Sequence, residues 1–299
     1  MAIPRAIKPM LARGGGKPFY DEDYGFEIKW DGVRCLVIAD QPYRLQNRHL
    51  KVITDQFPEL DFRSLPIGSV MDGEIVVLKD GIPSFYSLQK RTHLRSEAKI
   101  DIAAQTRPAT FMAFDLLYDQ GEKITRLPLK ERRMRLAALL KAYPQERMVL
   151  SDQIVGQGES YFDAVAARGL EGIIAKRLDS PYVEGKRSSS WLKVVAWQVK
   201  PMRVIGYVKQ RRTDGVQAIA LGRKHGNHWV YLGQVGHLPE DERVVLYSAL
   251  KDAPPMSPVP KGGPRDVEWR DVDLRCYIRH FEDGLSGRLR HASFKGWAA

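Results

Sequence analysis

The chain has 299 residues, of which 43% are hydrophobic and 28% charged, and its formal net charge is +11. This composition predicts a globular protein of about two domains, and its charge favours a polyanionic partner, although an anionic membrane surface would also fit. No apolar run approaches the ~20 residues that span a bilayer, and the first residues lack a signal-peptide core. Two distant cysteines, Cys35 and Cys276, predict no disulfide framework, so we expect a cytoplasmic protein.

The first two thirds of the chain mix short strands with helices. Short runs of alternating apolar residues are typical of strands in antiparallel sheets. We predict such strands at Gly25–Trp30, Val33–Ala39, Ser69–Leu78, Thr110–Leu117, Met148–Ser151, Gly172–Arg177 and Trp191–Val195. A helical period predicts helices over Leu129–Tyr143 and Ser160–Arg168, with Arg132 and Arg133 away from the apolar face of the longer helix.

The sequence changes character after Pro201. Apolar runs predict strands at Arg203–Lys209, Val216–Leu221, His228–Val235 and Leu274–His280, and a helix over Leu238–Asp252. Prolines in the segment Pro254–Pro264 predict an irregular loop. Several strands with one helix are compatible with an OB-type barrel. We therefore expect an α+β protein with domains at residues 1–197 and 198–299.

The most informative segment is the hexapeptide KWDGVR, which covers Lys29–Arg34 at the end of the first predicted strand. Its Asp31-Gly32 pair is a turn signal, and the glycine allows close approach of the backbone. The segment therefore places one lysine amine at a strand end with an arginine nearby. An amine in such a position can act as a covalent nucleophile.

Two later strands carry residues that can bind a substrate or a metal ion. Side chains alternate along the strand Ser69–Leu78, so Asp72 and Glu74 share a face that can meet ribose hydroxyls or a divalent cation. The opposite, apolar face belongs to the core. Phe114, in the strand Thr110–Leu117, is either a core residue or a stacking platform for a purine.

An acidic residue precedes the predicted strand Gly172–Arg177, and a lysine lies near the end of that strand. In a regular strand Glu171 and Lys176 would point to opposite faces, so either Gly172 breaks the register or the strand begins there. Further on, Trp191 and Lys193 should share one face of the last strand of the first domain.

Positive charge concentrates between Tyr182 and Arg212, across the predicted domain junction. This segment contains one acidic residue and eight basic residues: Lys186, Arg187, Lys193, Lys200, Arg203, Lys209, Arg211 and Arg212. A positive seam suits a nucleic-acid backbone, and the alternative is two separately solvated loops. Near the C-terminus, Arg290 and Lys295 flank an aromatic residue and can form a phosphate clamp.

In their order along the chain, these segments resemble the motifs of ATP-dependent DNA ligases. The matching patterns are KxDGxR from Lys29, Asn47-Arg48, DGE from Asp72, Phe114-Asp115, EGxxxK from Glu171, WxK from Trp191, and Arg290 to Lys295. The resemblance extends from Glu27 to Gly296 and is closest to compact bacterial ligases, including the ligase module of bacterial non-homologous end-joining enzymes. It implies a covalent nucleotidyltransferase domain of antiparallel sheets with helices, followed by an OB-fold β-barrel.

The resemblance also implies a role for each matching residue. Lys29 would become adenylated, Glu27 and Phe114 would hold adenine, and Arg34 and Glu74 would contact ribose. Glu171, together with Glu74, would hold a divalent metal, Lys176 and Lys193 would bind the α-phosphate, and Arg48 would bind the 5′-phosphate of a nick. Arg290 and Lys295 would orient pyrophosphate. From the positive seam we expect further DNA contacts by Lys200, Arg203, Lys209, Arg211 and Arg212.

The implied activity is the sealing of 5′-phosphate/3′-hydroxyl breaks in DNA repair. Its cofactors would be ATP with Mg²⁺ or Mn²⁺, and its partner nicked or broken double-stranded DNA, with Ku or a repair polymerase as further partners. We expect a monomer that acts at the nucleoid and not at a membrane.

One position departs from the family pattern, because Val195 stands where a second lysine is usual after Trp191. This removes a phosphate-facing charge from the strand face of Lys193. Two alternatives to a DNA ligase stay open. One is another covalent nucleotidyltransferase, such as an RNA ligase or a GTP-using capping enzyme. The other is a non-catalytic DNA-binding protein with a ligase-like fold, and Val195 is the one residue in its favour.

Overall fold

The computed structural model describes residues 3–211, 214–226, 228–282 and 287–298. The chain divides into two compact units, Met1–Ala196 and Trp197–Ala299. Each unit combines mainly antiparallel sheets with few helices, which confirms the predicted α+β class. Among the described residues, no helix combines the length and apolar character needed to cross a bilayer.

Over residues 3–196, the structure describes twelve strands and four α-helices in the first unit. Its strands are β1 (Leu11–Gly14), β2 (Tyr20–Ile28), β3 (Val33–Ile38), β4 (Arg44–Asn47), β5 (Val70–Lys79), β6 (Ile82–Pro83), β7 (Ala109–Asp119), β8 (Glu122–Lys123), β9 (Met148–Leu150), β10 (Gln153–Gln157), β11 (Gly172–Arg177) and β12 (Arg187–Val195). Its helices are α1 (Phe85–Thr92), α2 (Glu97–Thr106), α3 (Leu129–Ala142) and α4 (Gly158–Ala167).

These strands form two sheets. Sheet A has the order β1-β12-β11-β2-β10, and sheet B has the order β4-β3-β5-β7-β8, with β6 beside β5 and β9 beside β7. Most pairs are antiparallel, but β1 pairs with β12 and β9 with β7 in parallel. Because β2 belongs to sheet A and β3 to sheet B, the turn between them carries the chain from one sheet to the other.

Three apolar clusters separate the layers of the first unit. One covers the outer face of sheet A and includes Phe26, Ile173 and Val194 with Val165 of α4. A second lies between the sheets, where Trp191 of β12 meets side chains of β3, β5 and β7. The third covers the far face of sheet B together with α1 and α3. Polar side chains on the facing surfaces of the sheets are therefore enclosed on both sides by apolar layers.

In the residues that the structure describes, the second unit consists of one curled sheet and one α-helix. Its elements are β13 (Gln198–Lys209), β14 (Val216–His225), β15 (His228–Gly236), α5 (Glu240–Lys251), β16 (Glu268–Trp269), β17 (Arg275–Glu282) and β18 (Leu289–Trp297). The strand order is β15-β14-β13-β17-β18, with β16 beside β13 and all pairs antiparallel. The outer strands approach each other, because Gly233 of β15 lies against Leu289 of β18. This curl is consistent with the predicted OB-type barrel.

The predicted strands and three helices are found, with ends displaced by a few residues, and 254–264 is irregular as expected. The structure differs from the prediction at the polar face assigned to α3. Arg132 was expected away from the core, but its side chain is fully buried. It donates to both carboxylate oxygens of Asp115, at 2.7 and 2.8 Å, and to the carbonyl oxygens of Leu127 and Ser180.

The buried Arg132–Asp115 pair predicts a large loss of stability when one partner is removed. Asp115→Asn leaves the guanidinium charged and unpaired, so the free energy of unfolding of the first unit should fall by about 3–5 kcal/mol. Arg135→Ala on the same helix is the control, because Arg135 is 38% exposed and pairs with Glu122 at the surface. Urea unfolding should show a change of less than about 1 kcal/mol for this control. Similar small losses in both variants would contradict the prediction.

Candidate active site

Lys29 and Glu171 form an ion pair at one end of sheet A. Lys29 directly follows β2, and its backbone N–H donates to the carbonyl oxygen of Gly172 at 2.8 Å. Its ammonium contacts Glu171, whose side chain is 8% exposed, whereas that of Lys29 is 22% exposed. Because β11 begins at Gly172, Glu171 lies before the strand, which answers the question of register left open by the sequence. The predicted nucleophile and metal-binding acid therefore lie together.

The turn after Lys29 is held against sheet B by a glycine. A Cβ on Gly32 would collide with the carbonyl oxygen of Ile75 and with the Cγ of Glu74. The absence of a side chain therefore allows this turn to lie directly on β5. On the next strand, Arg34 is paired in register with Glu74. The glycine of the hexapeptide thus brings its lysine close to Glu74.

Glu74 is a carboxyl with altered acidity. Loss of hydration raises the pKa of Glu74 to about 8, and the charges of Asp72 and Glu171 act in the same direction. The positive charges of Arg34 and Lys29 oppose this rise in the pKa of Glu74. Glu74, Glu171 and Lys29 are thus close enough to influence one another electrostatically.

Arg34 is bound to Asp72. Its guanidinium donates to both carboxylate oxygens of Asp72, each at 2.6 Å, and to the carbonyl oxygen of Met10 at 3.2 Å. The hydroxyl of Tyr182 donates to the same carboxylate at 2.6 Å. Asp72 is completely buried, so the expectation that it could face ribose or a metal is wrong. Asp72 holds Arg34 in place, while Glu74 is the partly exposed acid of this strand face.

The ring of Phe114 lies between the two sheets and is 7% exposed. The Cζ atom of Arg34 lies 4.6 Å and the Nζ atom of Lys176 4.0 Å from its ring centroid, and Trp191 packs edge-on at 6.0 Å. The ring is therefore part of the core and also borders the polar site, and its role as a stacking platform for a purine stays a prediction. A purine that stacks on Phe114 would have to displace one of these cations.

Lys176 is a buried cation paired with Glu27. Its ammonium donates to Glu27 Oε2 at 2.8 Å and lies 4.4 Å from the ring of Trp191. Burial lowers the pKa of Lys176 to about 8, although the charge of Glu27 opposes this. In the sheet, Glu27 and Lys193 are both aligned with Ile174, so the three residues form a row across β2, β11 and β12. Lys193 is the exposed member of this face, which also carries Val195.

Two residues of this site have no sequence signal that would have identified them. Arg133 Nη1 and Gln153 Nε2 each donate to Glu27 Oε1 at 3.0 Å. Arg133 was expected on the polar face of α3, yet only 10% of its side chain is exposed. Both residues are more than 100 positions from Glu27 in the chain. No local pattern could report such a contact.

The acids present fit a cation of the Mg²⁺ type. In the part of the chain that the structure describes, no three His, Cys, Asp or Glu side chains are grouped to hold a metal by themselves. Mg²⁺, however, is usually bound through one or two carboxylates together with substrate phosphates and water. The charge of Glu171 contributes to the raised pKa of Glu74, and a divalent cation bound beside both would oppose that rise and favour the ionised form. The donor set therefore suits a metal that arrives with a phosphate ligand.

The predicted DNA contacts differ in their availability. Arg48 is exposed at a turn in which Asn47 Oδ1 accepts from the backbone N–H groups of His49 and Lys51. Lys200 and Arg211 are also exposed, while Arg212 lies outside the described residues.

Arg203 and Lys209 have acidic partners. Arg203 lies 3.1 Å from Asp271 and 3.7 Å from Asp273, and Lys209 lies 3.3 Å from Asp214. The fold thus brings acids from outside the segment Tyr182–Arg212 to these two residues, and their contacts with DNA stay a prediction.

Arg290 and Lys295 lie on β18, a strand that was not predicted from the sequence. Arg290 is aligned with Phe281 of β17 and is partly buried, while Lys295 is exposed. Both residues therefore belong to the sheet of the second unit.

A family model and several relatives match this chain. The model described as ATP dependent DNA ligase domain matches residues 9–194. DNA ligase C1 of Mycolicibacterium smegmatis is 31% identical, over 99% of this chain and 91% of its own length. The multifunctional non-homologous end joining protein LigD of the same species is 30% identical over 99% of this chain. The chain spans only 39% of that relative's length.

A solved structure also resembles this chain. A mycobacterial DNA ligase D complexed with ATP and MES is 31% identical to this chain, with a TM-score of 0.58. The alignment covers 98% of this chain and 95% of that structure. The likeness therefore includes both compact units.

The raised pKa of Glu74 predicts a pH-dependent effect of Glu74→Gln. Between its ordinary pKa, 4.5, and about 8 the folded chain keeps a proton that the unfolded chain releases, so this group's contribution to stability falls as pH rises. Glutamine cannot ionise and avoids that loss. The Tm of the variant should match that of the unmodified protein near pH 5 and exceed it by about 2 °C or more near pH 8.5. Glu146→Gln, at an exposed position, is the control. A pH-independent difference would contradict the prediction.

Proposed function

The chain belongs to the ATP-dependent DNA ligase family, and from that premise we propose that it seals breaks in double-stranded DNA through a lysyl-AMP intermediate on Lys29. The observation that supports this most is the ion pair of Lys29 with Glu171 beside Glu74. An amine and two carboxylates at the partly exposed end of a sheet provide a nucleophile and a place for a cation-bound phosphate.

The first step would transfer AMP from ATP to Lys29. The Lys29 ammonium separates from Glu171 and loses a proton to solvent, which is accessible because the side chain is 22% exposed. The nitrogen lone pair then forms a bond to the α-phosphorus, and the bond between that phosphorus and the bridging oxygen breaks. Pyrophosphate leaves with the electron pair. A divalent cation held by Glu171 and Glu74 would neutralise charge on the phosphate oxygens.

The next two steps would transfer AMP to DNA and release it. An oxygen of the DNA 5′-phosphate attacks the phosphorus of lysyl-AMP, the phosphorus–nitrogen bond breaks, and Lys29 regains a proton. The 3′-hydroxyl oxygen then attacks the 5′-phosphorus of the DNA, a phosphodiester bond forms, and AMP leaves. The hydroxyl proton passes to solvent. Arg48, exposed at its turn, would bind the 5′-phosphate in these steps.

The remaining cations would contact the nucleotide. Lys193 is exposed on the strand face that also carries Lys176, which suits both residues to the α-phosphate. Arg34, fixed by Asp72, and Glu74 would contact the ribose. Arg290 and Lys295 of the second unit would orient pyrophosphate during the first step.

We extend the proposal to DNA repair by end joining. Its support is the relative LigD of Mycolicibacterium smegmatis, which is named a non-homologous end joining protein. Since the chain matches only part of that relative, Ku or a repair polymerase as a partner stays a prediction.

The lysyl-AMP proposal predicts that Lys29→Ala abolishes the covalent adduct formed with labelled ATP and Mg²⁺. Lys29→Arg should also fail, because a guanidinium remains protonated and cannot attack phosphorus. Lys130→Ala, at an exposed position of α3, should form the adduct at the normal rate. A normal adduct in Lys29→Ala would refute the assignment, and a preference for GTP would favour the capping-enzyme alternative.

Phosphate contacts by exposed arginines predict a change in the salt dependence of DNA binding. Arg211→Ala should flatten the slope of log K against log salt by about 0.9, as expected for the loss of one phosphate contact. Arg203→Ala should change the slope much less, because Asp271 and Asp273 already neutralise this guanidinium. Binding to two unrelated duplexes should weaken equally. Equal slopes for Arg211→Ala and the unmodified protein would remove Arg211 from the DNA path.

A further inference from the structure

Glu27 is a buried carboxylate with one acceptor position left. Its Oε1 accepts from Arg133 and Gln153, each at 3.0 Å, and its Oε2 accepts from Lys176 at 2.8 Å. A carboxylate offers about four acceptor positions. Partners within the described residues thus fill both positions on Oε1 and one on Oε2. The remaining position is on Oε2, the oxygen that accepts from Lys176, and the Nζ atom of Lys176 lies 4.0 Å from the ring centroid of Phe114.

Arg133 connects Glu27 with both sheets. Besides Glu27 of sheet A, its guanidinium donates to the carbonyl oxygen of Phe114 in sheet B at 3.1 Å and to that of Ser151 at 2.7 Å. The hydroxyl of Ser151 in turn accepts from Trp30 Nε1 at 2.9 Å. Arg133 therefore sets the position of the Glu27 carboxylate relative to the Phe114 backbone and to the residue that follows Lys29.

Gln153 holds the same carboxylate oxygen from the neighbouring strand. Gln153 of β10 is paired in register with Glu27. Its side chain lies over Gly25, where an added Cβ would collide with the amide group. The glycine leaves the space that lets this amide reach Glu27. Arg133 and Gln153 both donate to Oε1 and so restrict rotation of the Glu27 carboxylate. The remaining acceptor position therefore stays on Oε2.

We propose that Arg133 and Gln153 are positioning residues that orient Glu27 to accept a hydrogen bond from the 6-amino group of a purine nucleotide, and thereby select ATP over 6-oxo purines. This inference rests on the proposed function. A 6-amino group donates to a carboxylate, whereas a 6-oxo group presents another acceptor to the remaining position on Glu27 Oε2, and the two oxygens repel each other. In a buried site such a mismatch is strongly unfavourable. The ring of Phe114 next to Lys176 is the surface that the purine would contact.

A measurement of nucleotide selectivity tests this role. Inosine triphosphate is the probe, because it has a 6-oxo group and an N1–H where ATP has a 6-amino group and an unprotonated N1, while its phosphates are the same. The second-order rate constant of self-nucleotidylation is measured with each nucleotide by intact mass, for the unmodified protein, Arg133→Ala, Arg133→Lys and Gln153→Ala. Arg135→Ala, on the surface of α3, is the matched control.

The unmodified protein should prefer ATP by about 100-fold or more. Arg133→Ala should lower this ratio by about tenfold or more, Gln153→Ala should lower it less, and Arg133→Lys should restore part of it because one cationic donor remains. Arg135→Ala should retain the full ratio. A merely structural role would reduce both rate constants equally and leave the ratio unchanged.

The possible failures are distinct. If Arg133→Ala does not fold, Arg133→Lys and Gln153→Ala decide, and an unchanged ratio in both overturns the inference. An adduct in the unmodified protein without any preference for ATP also overturns it, while the proposed function survives. If the unmodified protein forms no adduct with ATP, the proposed function fails and this inference fails with it.

Discussion

Buried carboxylates at the facing surfaces of sheets A and B are the constraint on which the rest of the first unit depends. Glu27, Asp72, Asp115 and Glu171 are all buried. A carboxylate removed from water costs several kcal/mol unless a cation and hydrogen bonds compensate. Each of these acids is paired with a cation from another part of the chain. Glu27 pairs with Lys176 and Arg133, Asp72 with Arg34, Asp115 with Arg132, and Glu171 with Lys29. The space between the sheets can be polar because these pairs are complete.

The pairs also determine which groups can respond to a ligand. Arg132 and Arg34 are fixed by bidentate contacts to buried acids, so they serve as a frame. Lys29 and Glu171, in contrast, form a single contact at a partly exposed end of sheet A. Anionic phosphates that enter there would compete with Glu171 for the lysine, and a divalent cation would compete with the lysine for Glu171. The Lys29–Glu171 pair, which a ligand can separate, thus lies at the partly exposed end of a structure that the bidentate pairs of Arg34 and Arg132 hold fixed.

Apolar packing supports this separation. Trp191 packs edge-on against both Phe114 and Tyr182, at 6.0 and 5.7 Å, and so joins the last strand of sheet A to sheet B. Lys176 lies over two of these rings, which keep water from a buried ammonium. The same aromatic residues therefore form the core between the sheets and the wall of the candidate site.

Local information in the sequence determined most elements and the identity of the chemical groups. Alternation of apolar residues is a property of neighbouring positions, so the strands around Cys35, Ile75 and Ile173 were predictable, as was the turn that follows Lys29. The short strands β4 and β10 were missed. β4 contains one apolar residue, Leu45, and so shows no alternation, while the partners of β10 on β2 lie more than 100 positions away. The functional roles of the motif residues stay predictions.

Tertiary structure alone decided which charges meet. Arg132 and Arg133 have the same local sequence character as the exposed Arg135, yet β7 and β2 bring Asp115 and Glu27 to the first two. Asp72 and Glu74 share one strand face, but only Asp72 is saturated by Arg34 and Tyr182. Arg203 counted as free positive charge in the sequence until the fold placed Asp271 and Asp273 beside it. The physical reason is common to all three cases. Burial and ion pairing depend on distances between residues that are remote in the chain, and no local pattern contains those distances.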